Sequence, residues 1–331
     1  MTRRLRWGLL STARINRSLI PALRKSPRSE LRAVASRSAR TAQEYARSWG
    51  IPRAIDGYPA LLADPEIDVV YNPLPNSLHA EWTVRAAEAG KHVLCEKPMA
   101  ISLDQVDAVE AAAEGAGVVV AEAFMYRHHP QTRKVIELVR GGAIGRLRRI
   151  RGAFTFNLSR EGDVRLVPEL GGGSLWDVGC YPVSYARLVA GSAPVEAFGW
   201  AVVGPTGVDL SFSGQLRFGD GVAAQFDCGF DAPFRTSVEI VGSEGTLLVP
   251  QAFKPSAAAV LLLRRGDDTQ AVPVAADDLY LYEVEDLVAA VLDGTPPTVS
   301  LADSRANVAT LLALLESARE GRPVAVNPHR T

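Results

Sequence analysis

Short apolar runs alternate with amphipathic helical segments from Leu5 to Gly117, and this rhythm constrains the fold more than any other feature of the sequence. Strands are predicted at Leu5–Leu10, Leu31–Ala35, Arg53–Ile55, Val69–Tyr71, Lys91–Cys95 and Gly117–Ala121. Helices are predicted between them, at Asn16–Lys25, Ala39–Trp49, Tyr58–Leu62, Ser77–Ala89 and Leu103–Gly115. Such alternation is typical of right-handed βαβ crossovers, so we expect an α/β domain with a parallel sheet.

The turn after the first predicted strand reads Ser11-Thr12-Ala13-Arg14-Ile15. Dinucleotide-binding folds carry G-x-G-x-x-G or A here, so that the backbone approaches a pyrophosphate at a helix N-terminus. Ser11 and Ala13 replace both defining glycines, which makes the fingerprint weak on its own. Their small side chains still permit close approach, and we expect these five residues to contact the phosphates. Standing alone, such a segment is more often an ordinary strand-to-helix turn.

The end of the second predicted strand indicates which cofactor is used. Folds that bind NAD carry an acidic residue there for the ribose, whereas those that bind NADP tend to carry an arginine for the 2′-phosphate. Here the chain has Ser36 and Arg37 and no carboxylate at the expected place. Both side chains can donate hydrogen bonds to a phosphate. NADP is therefore predicted as the preferred cofactor, with NAD as the other candidate.

Two further loops follow strands of the same predicted sheet. After the fourth strand, Pro73-Leu74-Pro75-Asn76 leads into a helix that contains His79. We expect Pro73, Leu74, Asn76 and His79 to line the cofactor groove near the nicotinamide, with His79 in a positioning role. After the fifth strand comes Glu96-Lys97-Pro98, where the proline ends the ladder. Ligands of open α/β sheets bind outside these carboxyl ends.

Lys97 is an unusual choice of cation in this chain. Of the 36 lysines and arginines only five are lysines. Unlike arginine, a partly buried lysine can release its proton and serve as an acid or base. The alternative is a strand-end lysine paired with Glu96 in solvent. Glu96 and Lys97 are both predicted to contact the cofactor, and Lys97 also the substrate.

Strands dominate after the first domain, which is predicted to span residues 1–124. The second, residues 125–331, is predicted to be α+β and built on a large, mostly antiparallel open sheet. Its strands are predicted at Leu147–Asn157, Pro194–Val203, Val208–Phe218, Val222–Phe230, Arg235–Val241, Gly245–Val249, Ala257–Leu263 and Ala271–Val274, followed by helices at Leu279–Leu292 and Leu301–Arg319. A partly apolar open face suggests a homodimer or homotetramer through this sheet.

A glycine-rich segment, Gly171–Pro182, lies between the first strand of the second domain and the others. Its glycines permit unusual backbone conformations, and Ser174 is predicted as a helix N-cap. Asp177 and Tyr181 are four residues apart, so on a helix they share a face and can point into one cleft. An exposed carboxylate and a partly buried tyrosine are the usual outcome for such a pair in isolation.

Composition excludes several kinds of protein. A net charge of −1 is not that of a nucleic-acid-binding protein. No apolar stretch is long enough for a membrane span, and Arg14 interrupts the short N-terminal run before it resembles a signal peptide. Three widely spaced cysteines indicate neither a disulfide framework nor a metal site. We expect a cytoplasmic protein without a metal, a nucleic acid or a membrane as partner.

These motifs, taken in order, resemble those of the Gfo/Idh/MocA oxidoreductases. The most specific are Glu96-Lys97-Pro98, the Pro73–His79 loop and the Gly171–Pro182 segment. The resemblance implies an N-terminal Rossmann domain, a C-terminal domain on an antiparallel sheet, and a nicotinamide cofactor between them. It further implies that Lys97 is the catalytic lysine and Asp177 the carboxylate that positions the substrate. Tyr181 stands where many members have a histidine and the glucose-fructose and dihydrodiol relatives have a tyrosine.

The activity implied by the resemblance is hydride transfer between a nicotinamide and a hydroxyl-bearing carbon of a sugar, polyol or cyclic diol. We specifically predict an NADP-preferring aldose 1-dehydrogenase in which Lys97, Asp177, Tyr181 and Arg127 contact the substrate. Either Lys97 or Tyr181 accepts the hydroxyl proton, and the sequence leaves both assignments open. A glycoside hydrolase that uses NAD and a non-catalytic dinucleotide-binding regulator are the alternatives.

Overall fold

The computed structural model describes residues 3–160 and 162–327, and it divides into two units. The first unit contains the residues up to Met125 together with Tyr280–Ser304. The second contains Tyr126–Leu279 and the residues from Arg305 onward. The outer ends of the two predicted domains, residues 1–2 and 328–331, lie outside the described residues.

The helices and strands have the following bounds. The strands are β1 (Leu5–Leu10), β2 (Ser29–Ser36), β3 (Arg53–Asp56), β4 (Val69–Asn72), β5 (His92–Glu96), β6 (Val120–Ala123), β7 (Leu147–Asn157), β8 (Glu196–Val203), β9 (Asp209–Arg217), β10 (Ala223–Gly229), β11 (Asp231–Arg235), β12 (Val238–Gly242), β13 (Thr246–Val249), β14 (Ala258–Arg265), β15 (Asp268–Ala275) and β16 (Val324–Ala325). The α-helices are α1 (Asn16–Lys25), α2 (Ala39–Trp49), α3 (Tyr58–Leu62), α4 (Asn76–Glu88), α5 (Leu103–Ala116), α6 (Pro130–Arg140), α7 (Cys180–Ala190), α8 (Leu279–Asp293) and α9 (Leu301–Glu320).

The first unit is built on a six-stranded sheet in the order β3-β2-β1-β4-β5-β6, and its strand pairs are parallel. This confirms the α/β fold expected from the alternation of strands and helices. The strand order reverses between β1 and β4, and such a reversal opens a crevice at the carboxyl ends where ligands bind. The loops after β1, β2, β4 and β5 therefore belong to the ligand-binding edge.

Helix α8 packs in the first unit, far in sequence from the other residues of that unit. Val284, Leu287 and Val288 are at most 1% exposed and join the core formed by Trp7 and Leu9. One face of the helix is apolar, and that face needs a partner in order to leave water. The first unit therefore includes a segment that follows most of the second unit along the chain.

The second unit is built on a ten-stranded sheet with the order β15-β14-β13-β12-β7-β10-β9-β8-β16, and β11 pairs with β7. The pair formed by β7 and β10 is parallel, whereas the other described pairs are antiparallel. The mostly antiparallel sheet is thus confirmed. The turns at residues 219–221 and 243–245 join antiparallel neighbours and so form hairpins.

Most predicted strands differ from the observed ones by up to three residues at an end, and two differ in ways that have a clear structural reason. The last strand of the first sheet begins at Val120, because Gly117 adopts φ 64° and terminates α5 with its N–H on the Ala113 carbonyl. The single strand predicted at Arg235–Val241 is divided between β11 and β12, which both pair with β7. None of the helices in the described part of the chain has the length and apolarity that a bilayer crossing requires.

Candidate active site

The turn between β1 and α1 contains a backbone conformation typical of glycine although it lacks the glycines of the fingerprint. Ser11 adopts φ 128°, a conformation that glycine usually supplies. Its Oγ accepts a hydrogen bond from Ala13 N at 3.2 Å, and its carbonyl accepts one from Asn16 Nδ2 at 2.8 Å. Helix α1 begins without a side-chain cap. Residues 11–15 thus stand at an uncapped helix N-terminus, which fits the pyrophosphate of a dinucleotide.

Ser36, Arg37 and Ser38 occupy the end of β2 and the turn into α2. Ser36 is buried, Arg37 is exposed, and Ser38 caps α2 by accepting from Thr41 N at 3.3 Å. Arg37 lies near the hydroxyl of Tyr58: burial raises the pKa of that phenol, and the positive charge of Arg37 acts in the opposite direction. Residues 36–38 contain no carboxylate, so they fit the phosphate of NADP better than the bare ribose of NAD.

The loop after β4 is held in place from inside by His79. His79 is 1% exposed, and its Nε2 and Nδ1 lie 2.6 Å and 2.7 Å from the carbonyl oxygens of Leu74 and Pro98. Burial lowers the pKa of His79 to about 4. The two carbonyls favour the charged imidazolium and raise this pKa, but their effect is smaller than that of burial. Both nitrogens are engaged with backbone, so His79 joins the Pro73–Asn76 loop to the residue after Lys97.

Buried polar groups hold the carboxyl end of β5. Tyr71 donates to Glu96 Oε1 at 2.6 Å. Glu283, on α8, is 1% exposed and lies close enough to Glu96 for the two carboxyl groups to interact electrostatically. Burial, followed by that charge, raises the pKa of Glu283 well above its ordinary value. The Oε1 atom of Glu96 is therefore engaged within the protein.

Lys97 follows β5 directly and is half-buried. The chain beyond it is anchored by Glu122, whose Oε1 accepts a hydrogen bond from Met99 N at 2.8 Å. Glu122 lies on β6 and is 1% exposed. The backbone on the carboxyl side of Lys97 is thus fixed by an interior side chain, while Lys97 stands at the ligand-binding edge.

In the second unit, Asp177 belongs to a π-helical turn, Leu175–Gly179, that leads directly into α7. Turns with π geometry occur frequently at functional sites. Asp177 is 9% exposed and Tyr181, at the start of α7, is 5% exposed. The pair is therefore more buried than the exposed carboxylate and partly buried tyrosine that such a pair usually forms.

The π turn begins on a buried carboxylate of β9. Asp209 Oδ2 accepts from Ser174 Oγ at 2.6 Å and from Leu175 N at 2.7 Å. Ser174 occupies the N-cap position, as predicted, but its hydroxyl donates to Asp209 and makes no cap hydrogen bond. Gly173 permits the close approach, since a Cβ there would lie 2.3 Å from Asp209 Oδ1.

Arg165 is the cation beside Asp177, and sequence reasoning did not identify it. Its Nε donates to Asp177 Oδ2 at 2.6 Å, and its Nη1 lies 3.2 Å from Asp163 Oδ1. The negative charge of Asp177 is the main cause that raises the pKa of Arg165 further above its ordinary value. Arg165 lies in a short 3₁₀ turn, Val164–Leu166, and no motif in the sequence marks it.

Tyr181 lies among aromatic rings of its own unit. Its ring centroid lies 5.0 Å from that of Phe154 and 5.9 Å from that of Tyr126. Arg127 is also buried, and its Nη1 donates to Ser184 Oγ on α7 at 3.3 Å. The phenol is therefore held by rigid packing, which a group that exchanges a proton with a substrate requires.

The structure thus gathers the predicted residues into two sets. The first unit holds the expected cofactor residues on the loops after β1, β2, β4 and β5, with Lys97 on the last of them. The second unit holds Asp177 and Tyr181 on consecutive helical turns, and Arg127 contacts the second of these helices. Within residues 3–160 and 162–327, no group of three or more His, Cys, Asp and Glu side chains is placed to hold a metal ion.

The parallel sheet and its strand order are those of a dinucleotide-binding domain. Comparison with known proteins agrees with this class. Residues 5–124 match the model of an oxidoreductase family with an NAD-binding Rossmann fold, and residues 132–248 match that of the GFO/IDH/MocA C-terminal domain. The chain belongs to the Gfo/Idh/MocA oxidoreductase family. It is an NAD(P)-dependent oxidoreductase that acts on CH–OH groups.

Similar proteins with named activities include sugar oxidoreductases that use NADP. The chain is 39% identical over 325 residues to D-xylose 1-dehydrogenase (NADP⁺) 2 of Haloferax volcanii, and the match covers 97% of this chain and 99% of the relative. It is 35% identical over 321 residues to dTDP-3,4-didehydro-2,6-dideoxy-α-D-glucose 3-reductase of Actinomadura kijaniata, covering 96% of each. A 3-ketoreductase of that organism, solved with NADP and TDP-benzene, superposes with a TM-score of 0.90 at 33% identity, covering 95% of this chain and 98% of that one.

Proposed function

We propose that this protein is an NADP-dependent aldose 1-dehydrogenase, which oxidises the C1 hydroxyl of a cyclic aldose. The observation that carries the proposal is that one chain has Ser36 and Arg37 at the carboxyl end of β2 and has a buried carboxylate and a buried phenol, Asp177 and Tyr181, on one helical segment. The similarity to a D-xylose 1-dehydrogenase over nearly the whole chain supports the choice of substrate.

The proposed roles follow from the chemistry of each side chain. Bound NADP supplies the hydride acceptor, and residues 11–15 with Ser36 and Arg37 would hold its phosphates. Asp177 orients a second sugar hydroxyl by accepting its hydrogen bond. Lys97 and Tyr181 act on the C1 hydroxyl, whose proton must leave as the hydride is transferred.

Two assignments of the proton acceptor follow from the two candidate groups. In the first assignment Tyr181 accepts the proton as a phenolate, which requires a cation to form near neutral pH because the ordinary pKa of a phenol is about 10. In the other assignment a neutral Lys97 takes the proton and Tyr181 donates a hydrogen bond to the substrate oxygen. Replacing Tyr181 with Phe separates them, because only the first assignment then loses the proton acceptor.

A nucleotide-sugar ketone is the second candidate substrate, because a reductase named for one is similar to this chain over 96% of its length. Such a substrate carries a pyrophosphate, which proteins bind with basic side chains. The guanidinium of Arg165 is already paired with Asp177 and Asp163, so these three side chains together bear an excess of negative charge. Arg127, the other cation predicted to contact the substrate from this unit, offsets that excess, so the choice of a neutral sugar rests on the similarity to D-xylose 1-dehydrogenase.

The decisive experiment is a panel of pentoses, hexoses, polyols and glycosides incubated with NADP or NAD, read by absorbance of the reduced nicotinamide. We expect NADP reduction with an aldose and formation of the corresponding lactone. Release of free sugar from a glycoside without net reduction would instead indicate the hydrolase. Binding of NADP without turnover of any compound would indicate the regulator.

We further propose that the open face of the second sheet mediates assembly into a homodimer or homotetramer. On β8, Trp200 is 70% and Val202 56% exposed, on the side opposite to buried Ala197 and Gly199. Light scattering after size-exclusion chromatography should show an oligomer for the native chain and a monomer for Trp200→Glu. Val164→Glu, at an exposed apolar position outside the sheet, should leave the mass unchanged. A monomeric native chain would contradict the proposed assembly.

We propose the cytoplasm as the location of the enzyme, where both NADP and free sugars are present. Cell fractionation with an antibody against the native chain tests this. Recovery of the protein in a membrane or secreted fraction would contradict it.

A further inference from the structure

Arg165 forms a short ion pair with Asp177, and the family resemblance assigned it no role. Arg165 Nε lies 2.6 Å from Asp177 Oδ2. The side chain of Asp177 is 12% exposed and that of Asp163 7%, whereas that of Arg165 is 38% exposed. The guanidinium is thus bound to two mostly buried carboxylates, and its Cζ also lies 5.9 Å from the ring centre of Phe156.

Backbone contacts of the glycine-rich segment hold the turn that carries Arg165 in place. The carbonyl of Arg165 accepts a hydrogen bond from Gly173 N at 2.9 Å. A Cβ at Gly172 would lie 2.6 Å from the same carbonyl oxygen, so a larger residue there would displace the turn that carries Arg165. Asp163 accepts from Arg165 N at 3.0 Å and thereby fixes the start of the 3₁₀ turn. The glycines therefore place Arg165 against the π-helical turn.

The direction of this contact matters for Asp177. A carboxylate can rotate about its Cβ–Cγ bond, and that rotation is broad when no partner fixes it. A charge-assisted hydrogen bond from Nε to Oδ2 restricts the plane of the carboxylate and favours its ionised form. A carboxylate that is ionised and held in one orientation is well suited to accept a hydrogen bond from a sugar hydroxyl.

We propose that Arg165 is a positioning residue that orients the carboxylate of Asp177 toward the sugar. The inference rests on the proposed function, because it assigns Arg165 to the substrate side of that same site. Arg165 does not touch the substrate or the cofactor in this assignment. Its effect on the reaction passes through Asp177, so the two side chains should behave as one unit when they are removed singly and together.

The test is a double-mutant cycle of Arg165→Met, Asp177→Asn and the double variant, measured as kcat/KM for the best aldose of the panel. We expect Arg165→Met to lower kcat/KM by about tenfold to a hundredfold, in keeping with loss of a hydrogen bond between charged groups. The double variant should lose no more than Asp177→Asn alone. Guanidinium ion at millimolar concentration should restore part of the activity of Arg165→Met and none of that of Asp177→Asn.

Arg322→Met is the matched control, because Arg322 also pairs with a carboxylate, that of Glu320, but on the surface. It should retain the native kcat/KM and show no response to guanidinium. The affinity for NADP, measured by fluorescence, should equal that of the native protein in all variants. Should Arg165→Met fail to fold, Arg165→Lys keeps the charge without the planar fork, and its kcat/KM should fall without loss of NADP binding.

The outcomes separate the two proposals. Multiplicative losses in the cycle, or native activity in a folded Arg165 variant, would overturn the role of Arg165 and leave the proposed function standing. A native protein that turns over no sugar, while still binding NADP, would refute the proposed function and the role of Arg165 with it.

Discussion

The preference for NADP should depend on two residues that the structure brings together, Arg37 and Tyr58. Arg37 lies close enough to the Tyr58 hydroxyl for its charge to act on that phenol, and the Tyr58 ring stands edge-on to Trp82 with the centroids 5.0 Å apart. This contact restrains a long, exposed side chain before the cofactor arrives. The first variant, Arg37→Ser, removes the charge, and the second, Tyr58→Phe, removes only the restraint.

The magnitudes differ because the lost interactions differ. A hydrogen bond to a charged group contributes about 1.5–3 kcal/mol, and solvent around the exposed Arg37 places it at the lower end. The KM for NADP should therefore rise by about tenfold in Arg37→Ser, since about 1.4 kcal/mol corresponds to one factor of ten. The hydroxyl of Tyr58 acts only through Arg37, so Tyr58→Phe should raise that KM by roughly threefold to fivefold.

The assay compares KM for NADP and for NAD with one aldose at two ionic strengths. The KM for NAD should stay native in both variants, and the effect of Arg37→Ser should shrink in high salt because the screening length falls. Arg47→Ser is the control, since Arg47 is exposed in the last turn of α2, away from the end of β2. An equal rise in KM for both cofactors would refute the assignment of Arg37 to the 2′-phosphate.

Three further predictions concern catalysis, pH and stability. Lys97→Met should lower kcat by roughly 10²–10⁴-fold while NADP binding, measured by fluorescence, stays native. Because burial raises the pKa of Glu283, its contribution to stability is full below its unfolded pKa of about 4.3 and is lost as the pH rises through the folded value. Glu283→Gln should therefore flatten the decline of Tm with pH, whereas Glu114→Gln, at an exposed site, should not. Gly173→Ala should lower Tm by roughly 4–8 °C, and Gly207→Ala, with positive φ but open space, by about half as much.

For each of these three predictions, one experimental result would contradict the physical argument behind it. Native turnover in the lysine variant would exclude that side chain from proton transfer. A glutamine variant whose Tm follows the native curve at every pH would show that the buried carboxyl does not hold its proton. Equal Tm losses in the two glycine variants would show that backbone conformation alone, and not the close approach of the Asp209 carboxylate, sets the requirement for glycine.

Much of the fold could be predicted because its signals are local. The bounds of β7, α1 and α2 agree with the structure residue for residue, since each element carries its own periodicity and its own end signals. The placement of α8 could not be predicted in this way. Its apolar face indicates burial without identifying a partner, and the partner is a core formed by residues much earlier in the chain.

The candidate site divides along the same line. Sequence motifs identify Lys97, Asp177 and Tyr181. The groups that surround these residues lie outside any recognisable motif. Arg165 reaches Asp177 through a 3₁₀ turn with no periodic pattern, and Glu283 approaches the strand end before Lys97 from a helix of distant sequence. Such partners are set by tertiary packing, so their signal appears only when the chain is folded.

The phosphate turn shows why a weak sequence fingerprint can accompany the expected geometry. A glycine motif describes a backbone conformation, and the conformation can be supplied by another residue when its strain, of order 1–3 kcal/mol, is offset. Ser11 adopts φ 128°, and its Oγ and carbonyl are engaged by Ala13 N and Asn16 Nδ2 at 3.2 Å and 2.8 Å. Two hydrogen bonds of about 1 kcal/mol each are enough to offset such strain. The small side chain at Ser11 therefore keeps the turn open to a phosphate, because its hydroxyl is bound within the turn and does not project from it.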